Sequence, residues 1–414
     1  MSPEEIAAHQ RLRLQGAMVE AVARHGYAGT TLRELVALAG VSRSTFYENF
    51  ENKQALFLAT FEAIVAELEV RVGSAYRSGG DFRDRLTRGL GAFMDLAVEE
   101  PAAASLAAID SLTLGAAGVA HRERAAEGFE ALVGQSFEHS PTERQVAPTT
   151  VRAIVAGIRG VTYRRLRAGL AAELPGTVGE LVDWALGFQA SESEATRRAV
   201  AAAEVPRGRA GAAEEQGLSW EEPPDSRLSR RGLSQRERIV RGAARVVVEK
   251  GYEALSIPAI SGAAGTSNQT FYEHFASKRD AFLAAFEILS TEALTRTVGA
   301  YEEETRKPEA VGAGLRALLE YIGSNELFAQ LAFFELPTAG PPALDQAEAT
   351  FDLFTAYLRD SPELGAPLPG AVIEAVPSAI WAVIQHEIAQ GRLASLPEIA
   401  PEVTRIVVAS FGPT

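Results

Sequence analysis

Residues 26–62 read GYAGTTLRELVALAGVSRSTFYENFENKQALFLATFE, and residues 251–287 read GYEALSIPAISGAAGTSNQTFYEHFASKRDAFLAAFE. The two stretches align without a gap at a spacing of 225 positions, with 16 of 37 residues identical. The retained positions include two glycines, six aromatic residues and a lysine, and among the changed ones are residues 43–44 and their counterparts 268–269, at the start of a short helix.

In the first copy Gly26 falls where a left-handed helix cap is wanted, and Tyr27 packs back on the helices. Thr30 or Thr31 caps the next helix, LRELVALA, with Glu34 as the reciprocal capping-box carboxylate. Gly40 supplies the permissive backbone of a turn. Ser42 then caps RSTFYENF. Two helices joined by so short a turn make a helix-turn-helix.

In such a unit the start of the second helix enters the major groove of DNA. Arg43, Ser44 and Thr45 occupy that start, and Arg43 suits guanine. Tyr47 and Lys53 are placed to meet phosphates, with Thr31 and Ser42 at the two helix starts, while Phe46 and Phe50 fill the small core. The second copy carries Ser256, Ser267, Asn268, Gln269, Thr270, Tyr272, His274 and Lys278 at the matching places. Asn268 and Gln269 suit adenine. Pro258 falls in the first turn of its helix, where proline is tolerated. The basic run RLSRRGLSQRER precedes this copy and suits phosphates or the minor groove, or a solvated linker end.

The pattern Gly-Tyr, Thr-Thr-Leu-x-x-Leu, Ala-Gly-Val-Ser, Thr-Phe-Tyr-x-x-Phe-x-x-Lys resembles the TetR family of bacterial transcriptional regulators. The likeness is strongest over Gly26–Lys53 and good over Gly251–Lys278. It implies, for each half of the chain, three DNA-binding helices followed by a divergent helical domain. That domain is expected to dimerise through its last two long helices and to bind a small molecule that releases operator DNA. Two departures stand out. Two subunits are fused in one chain, and Ser44 and Gln269 stand where the family commonly has glycine.

The net charge of −14 over 414 residues runs against DNA binding at first sight. Locally the balance reverses. Residues 9–53 hold six Arg/Lys against four Glu, and residues 229–279 hold nine against four. Screening confines a charge's reach to roughly 8–10 Å, so the local face decides. Cysteine is absent, which excludes disulfides, thiolate zinc sites and cysteine nucleophiles and fits a reducing cytoplasm. The acidic, polar N-terminus is not a signal peptide, and no apolar run is long enough to span a membrane. No phosphate-binding glycine loop, His-Glu-x-x-His or Gly-x-Ser-x-Gly is present, so neither an enzyme nor a cofactor or metal site is expected.

Apolar residues recur at three- and four-residue spacing almost throughout, which predicts an all-α protein. The expected domains are 8–52 and 229–277 (DNA-binding), 53–202 and 278–414 (helical effector or dimerisation-type), and a Gly/Pro/Glu-rich linker over 203–228. Helices are expected over 53–76, 82–99, 101–114, 118–138, 142–169 and 177–200, with Pro101, Pro141 and Pro175 at helix starts. In the second half they are expected over 278–306, 309–323, 325–335, 343–359, 370–391 and 397–411. The last two helices of each half are expected to form an intramolecular four-helix bundle. Phe93, Trp184, Tyr321, Phe328, Phe333, Phe334 and Trp381 are the candidate ligand-lining residues. The expected partners are operator DNA and a small-molecule effector, with the chain acting as a pseudo-dimeric monomer or as a homodimer.

Overall fold

The computed structural model describes residues 2–138, 146–205, 234–359 and 364–412. Among them there is no strand, and no helix is long and apolar enough to cross a membrane. The expected linker lies outside the described residues from 206 on, as does the basic run up to residue 233. The chain forms two compact units, Met1–Ala190 with Leu368–Ala379 and Ser191–Pro367 with Ile380–Thr414. These units cut across the sequence halves, taking residues 191–205 into the second and 368–379 into the first.

The first unit opens with α1 (Pro3–Gly29), α2 (Leu32–Ala39) and α3 (Arg43–Asn49). Ser2 and Glu5 form a capping box at the start of α1. Leu14, Met18, Leu35, Phe46, Leu56 and Phe57 close the core of the reading unit. Then follow α4 (Lys53–Arg77), α5 (Phe82–Glu99), α6 (Pro101–Ala108), a 3₁₀ turn at Asp110–Leu114, α7 (Gly115–Glu138), α8 (Pro148–Arg167), a 3₁₀ turn at Ala171–Thr177 and α9 (Val178–Gly187).

Several expectations need correction. The helix expected over 101–114 ends at Ala108 and tightens into the 3₁₀ turn. Pro175 sits inside a 3₁₀ turn rather than at a helix start. Pro141 lies outside the described residues, and the helix expected from 142 begins at Pro148. The helix expected over 177–200 breaks after Gly187, because Ser193 accepts the amide of Thr196 and caps a new helix. Within this unit, the Arg165 guanidinium donates to both carboxylate oxygens of Glu374 at 3.1 and 2.8 Å, and Glu180 accepts the amide of Ala371 at 2.9 Å.

The second unit holds that new helix, α10 (Glu194–Glu204), then α11 (Gln235–Lys250), α12 (Ile257–Ala264), α13 (Asn268–His274) and α14 (Lys278–Glu302). It continues with α15 (Lys307–Ser324), α16 (Glu326–Gln330), α17 (Pro341–Arg359), α18 (Gly370–Ala389), whose first ten residues belong to the other unit, and α19 (Ala400–Ala409). The helix expected over 325–335 loosens into a π-type turn at Leu331–Glu335. Small residues let α10 approach closely: Ala195, Ala199 and Ala203 are buried, and α10 packs on α15 and α19. Arg198 grips Glu309 at 2.6 Å, and Arg405 grips Glu192 at 2.8 Å.

Candidate nucleic-acid interface

The local chemistry of each reader builds a stiff frame with a bare tip. Ser42 accepts the amide of Thr45 at 3.0 Å and meets its hydroxyl at 2.9 Å, which fixes the start of α3. Ser267 does the same for Thr270, at 3.0 Å for both contacts. Between cap and core, Arg43 and Ser44 are exposed in the first reader, and Asn268 and Gln269 in the second. Ser44 donates to Glu48 at 3.2 Å. Thr45 and Thr270 are half-buried.

Behind the tip the aromatic residues divide as their chemistry requires. Phe46 and Phe271 are fully buried. Tyr47 and Tyr272 stand edge-on against them at 5.3 and 5.7 Å, yet remain 57% and 61% exposed. A large ring left in water with a phenol at its end is placed for a polar partner outside the fold. Arg11 lies 5.4 Å over Phe50, and Arg236 lies 5.2 Å over Phe275. Arg11 also donates to the carbonyl of Asn49 at 3.2 Å. His274 meets Gln235 at 3.4 Å.

Thr31 caps α2 by accepting the amide of Glu34 at 3.3 Å, and Ser256 caps α12 through Ala259 at 3.4 Å. The reciprocal half of the expected capping box is absent. Glu34 instead meets His25 at 3.0 Å, a partner within reach of the same side chain. Thr30 turns inward and donates to the carbonyl of Gly26 at 2.9 Å. Gly40 has the left-handed backbone expected of the turn. Gly26 does not: its φ of 67° is paired with a ψ of 168°, and Gly251 repeats this with 78° and 163°. Both bend the chain sharply, a conformation that side chains disfavour.

Lys53 and Lys278 face the fold. The Lys53 ammonium donates to the carbonyls of Tyr27 and Thr30 at 2.8 and 2.9 Å and lies 4.2 Å over the Tyr27 ring. Lys278 donates to Leu255 at 2.7 Å and lies 5.0 Å over Tyr252. Each lysine thus staples the bend at Gly26 or Gly251 to the following long helix.

Sequence reasoning missed the residues that receive these bends. The amide of Tyr27 donates to Asp110 at 3.3 Å, and the amide of Tyr252 donates to Glu335 at 2.8 Å. Burial pushes the Asp110 carboxyl up to about 6, although the amides of Tyr27 and of Asp110 itself hold it down in part. The signal was present: 110 and 335 stand at the spacing of the repeat, as do Arg11 and Arg236.

Among the candidate ligand-lining residues, the structure brings together Tyr321 with Phe328 and Phe333 with Trp381. Phe93 meets Phe129 at 6.4 Å. Trp184 is buried against Phe188 at 5.5 Å and faces Gly157. Tyr321 packs on Phe328 at 5.4 Å, and burial beside Glu292 pushes its phenol up. Phe333 stacks on Trp381 at 4.0 Å, and Phe334 is half-buried.

Residues 17–60 and 239–285 match the model of the bacterial regulatory proteins, tetR family. The chain is a tandem TetR-like regulator with two helix-turn-helix units. Among solved structures it is similar to the transcriptional regulator FadR from Bacillus subtilis in complex with stearoyl-CoA, at 13% identity and a TM-score of 0.40 over 42% of this chain and 96% of that one. It is also similar to reduced NemR from E. coli, at 20% identity and 0.35 over 42% and 94%. The TetR family regulator PfmR from Thermus thermophilus gives 25% and 0.33 over 42% and 96%. No curated protein matches the chain.

Proposed function

We propose that this tandem TetR-like chain is a ligand-responsive repressor that reads an operator with two non-identical half-sites. One observation carries the reading: the two readers share caps, aromatic core and stapled bends but differ at their exposed tips. Arg43 and Ser44 stand in one, Asn268 and Gln269 in the other. An arginine pairs bidentately with guanine, and Asn or Gln with adenine, so the same frame addresses different bases. A homodimeric regulator presents two identical tips and needs a palindrome; a chain that carries both tips does not.

Tyr47 and Tyr272 supply phosphate hydrogen bonds on either side of the tips. Thr31, Ser42, Ser256 and Ser267 present helix starts, where amides and the helix dipole attract phosphate. The helical domains behind the readers supply the effector response.

Selection of bound sites from random DNA with the full chain tests the proposal. The expected result is an asymmetric site, with Arg43→Ala relaxing the sequence of one half only. A perfect palindrome, equally damaged in both halves by Arg43→Ala, would overturn it.

A further inference from the structure

The helical domain of the first unit contains two arginines that the DNA-binding reading does not use. Arg122 stands on α7 and Arg159 on α8. The Arg159 Nη1 donates to the carbonyl of Arg122 at 3.5 Å, and its Nε is buried without a hydrogen-bond partner among the described residues. Neither guanidinium lies within salt-bridge distance of a described carboxylate. Glu123 and Glu130 lend charge only through space, Tyr163 adds a smaller influence, and Glu130 is already paired with Arg152 at 3.1 Å. Burial, with Arg159 adding its like charge, pushes Arg122 down to about 9, and burial lowers Arg159 as well. Two half-buried cations on packed helices, one with a buried donor unanswered, are destabilising unless an anion joins them.

Apolar residues stand on α5 and α7, the helices that α8 meets. One turn beyond Arg159, Thr162 reaches the sulfur of Met94 on α5 at 3.7 Å. Beside Met94 stands Phe93, whose ring meets Phe129 two turns along α7 from Arg122. Phe93 and Phe129 are both half-exposed.

The second half fills the matching positions differently. Helices α8 and α18 are each 20 residues long and lead into seven-residue 3₁₀ turns and ten-residue helices. Laid start to start, Arg159 falls on Trp381. Gly115 and Gly340, 225 apart and both of positive φ, align α7 with α17 and lay Arg122 on Ala347. The Trp381 indole stacks on Phe333 at 4.0 Å and meets Phe351 edge-on at 5.1 Å. One half plugs the position with an aromatic stack; the other lines it with cations.

We propose that the first helical domain binds an amphiphilic anion, its carboxylate or phosphate head held by Arg122 and Arg159 and its apolar body against Phe93 and Phe129. Arginine forks suit both head groups, because two parallel N–H donors match two oxygens. This inference rests on the reading of that domain as an effector domain.

Calorimetric titration of the full chain with octyl phosphate, octanoate, 1-octanol and inorganic phosphate tests it without DNA. Either octyl anion is expected to bind at least tenfold more tightly than octanol or inorganic phosphate. Arg122→Ala and Arg159→Trp, which copy the second half, are expected to weaken the anion at least tenfold. Arg159→Met, which keeps the side chain's length and drops its charge, guards against a packing defect, with thermal unfolding as the control. Absence of heat with both octyl anions overturns the proposal. So does octanol or inorganic phosphate binding as tightly as octyl phosphate, or Arg122→Ala and Arg159→Met remaining within twofold of the parent. Failure of the parent to bind operator DNA would sink the regulator reading and leave these titrations standing.

Discussion

The carboxylate of Asp110 accepts the backbone amide of Tyr27 at 3.3 Å, joining the 3₁₀ turn behind α6 to the kink at Gly26 within α1. Glu335 does the same for Tyr252 at 2.8 Å in the second unit. The repeat therefore extends past the DNA readers to the contact that attaches each reader to its helical domain.

The first prediction concerns the charge on Asp110. Its folded pKa of about 6 lies above the ordinary unfolded value of about 3.9, so the folded state holds the proton more tightly. Stability from this group is present below pH ~4 and is lost as pH rises to ~6, by at most about 3 kcal/mol. Asp110→Asn keeps an acceptor for Tyr27 and removes the charge. Thermal unfolding from pH 4.5 to 7.5 is expected to show the variant gaining on the parent as pH rises. Parallel curves would sink the assignment. Asp110→Ala also removes the acceptor, which costs about 1–3 kcal/mol.

Tyr47 and Tyr272 present the reverse case, large residues that the fold barely uses. Tyr47→Phe and Tyr272→Phe are each expected to weaken operator binding by roughly fivefold, the worth of one hydrogen bond of about 1 kcal/mol. Unfolding temperature should hold, since exposed substitutions usually fall within about 0.5 kcal/mol. The phenol is neutral, so the dependence of affinity on salt should not change. Undiminished affinity in both variants would remove the tyrosines from the interface.

Much of this was legible in the sequence, for physical reasons that differ by residue. Pro101 and the capping residues Ser42, Ser267 and Thr31 mark helix starts through local geometry, so they need no tertiary knowledge. Buried Phe46 and exposed Tyr47 follow from helical spacing. The break after Gly187 was not legible, because Ala195, Ala199 and Ala203 continue an apolar face across Ser193, and only the cap on Thr196 interrupts it. The inward turn of Lys53 was equally hidden. Its partners are backbone carbonyls 23 and 26 residues away, which no side-chain pattern announces. Arg122 and Arg159 look like solvated helix charges until α7 and α8 are laid together.

Those carbonyl contacts yield the third prediction. Lys53→Met removes charge-assisted bonds to two carbonyls and leaves that of Thr30 short of a donor, while that of Tyr27 still accepts the amide of Thr30 at 3.3 Å, so the first reader should lose roughly 1.5–3 kcal/mol. Lys278→Met removes a bond to one carbonyl, that of Leu255, and should cost less. Hydrogen exchange in α2 and α12 measures each reader separately. A pure phosphate contact would instead lower affinity and salt dependence with exchange unchanged, and that outcome would defeat the staple.

The last prediction separates two close approaches. A Cβ at Gly312 on α15 would strike the carbonyl oxygen of Ala199 on α10, and backbone does not swing aside. Gly312→Ala should therefore destabilise the second unit by roughly 1–3 kcal/mol, with no single side-chain change able to restore it. A Cβ at Gly160 on α8 would instead strike the side chain of Ser378, within the first unit. Gly160→Ala is expected to be destabilising alone and largely rescued by Ser378→Gly, because the obstructing atoms then disappear. A double-mutant cycle on thermal unfolding measures the coupling, expected at about 1 kcal/mol or more. Additive effects at Gly160 and Ser378 would show that this contact does not position α8, whereas strong coupling there and none at Gly312 would identify the α10–α15 approach as the one held by backbone alone.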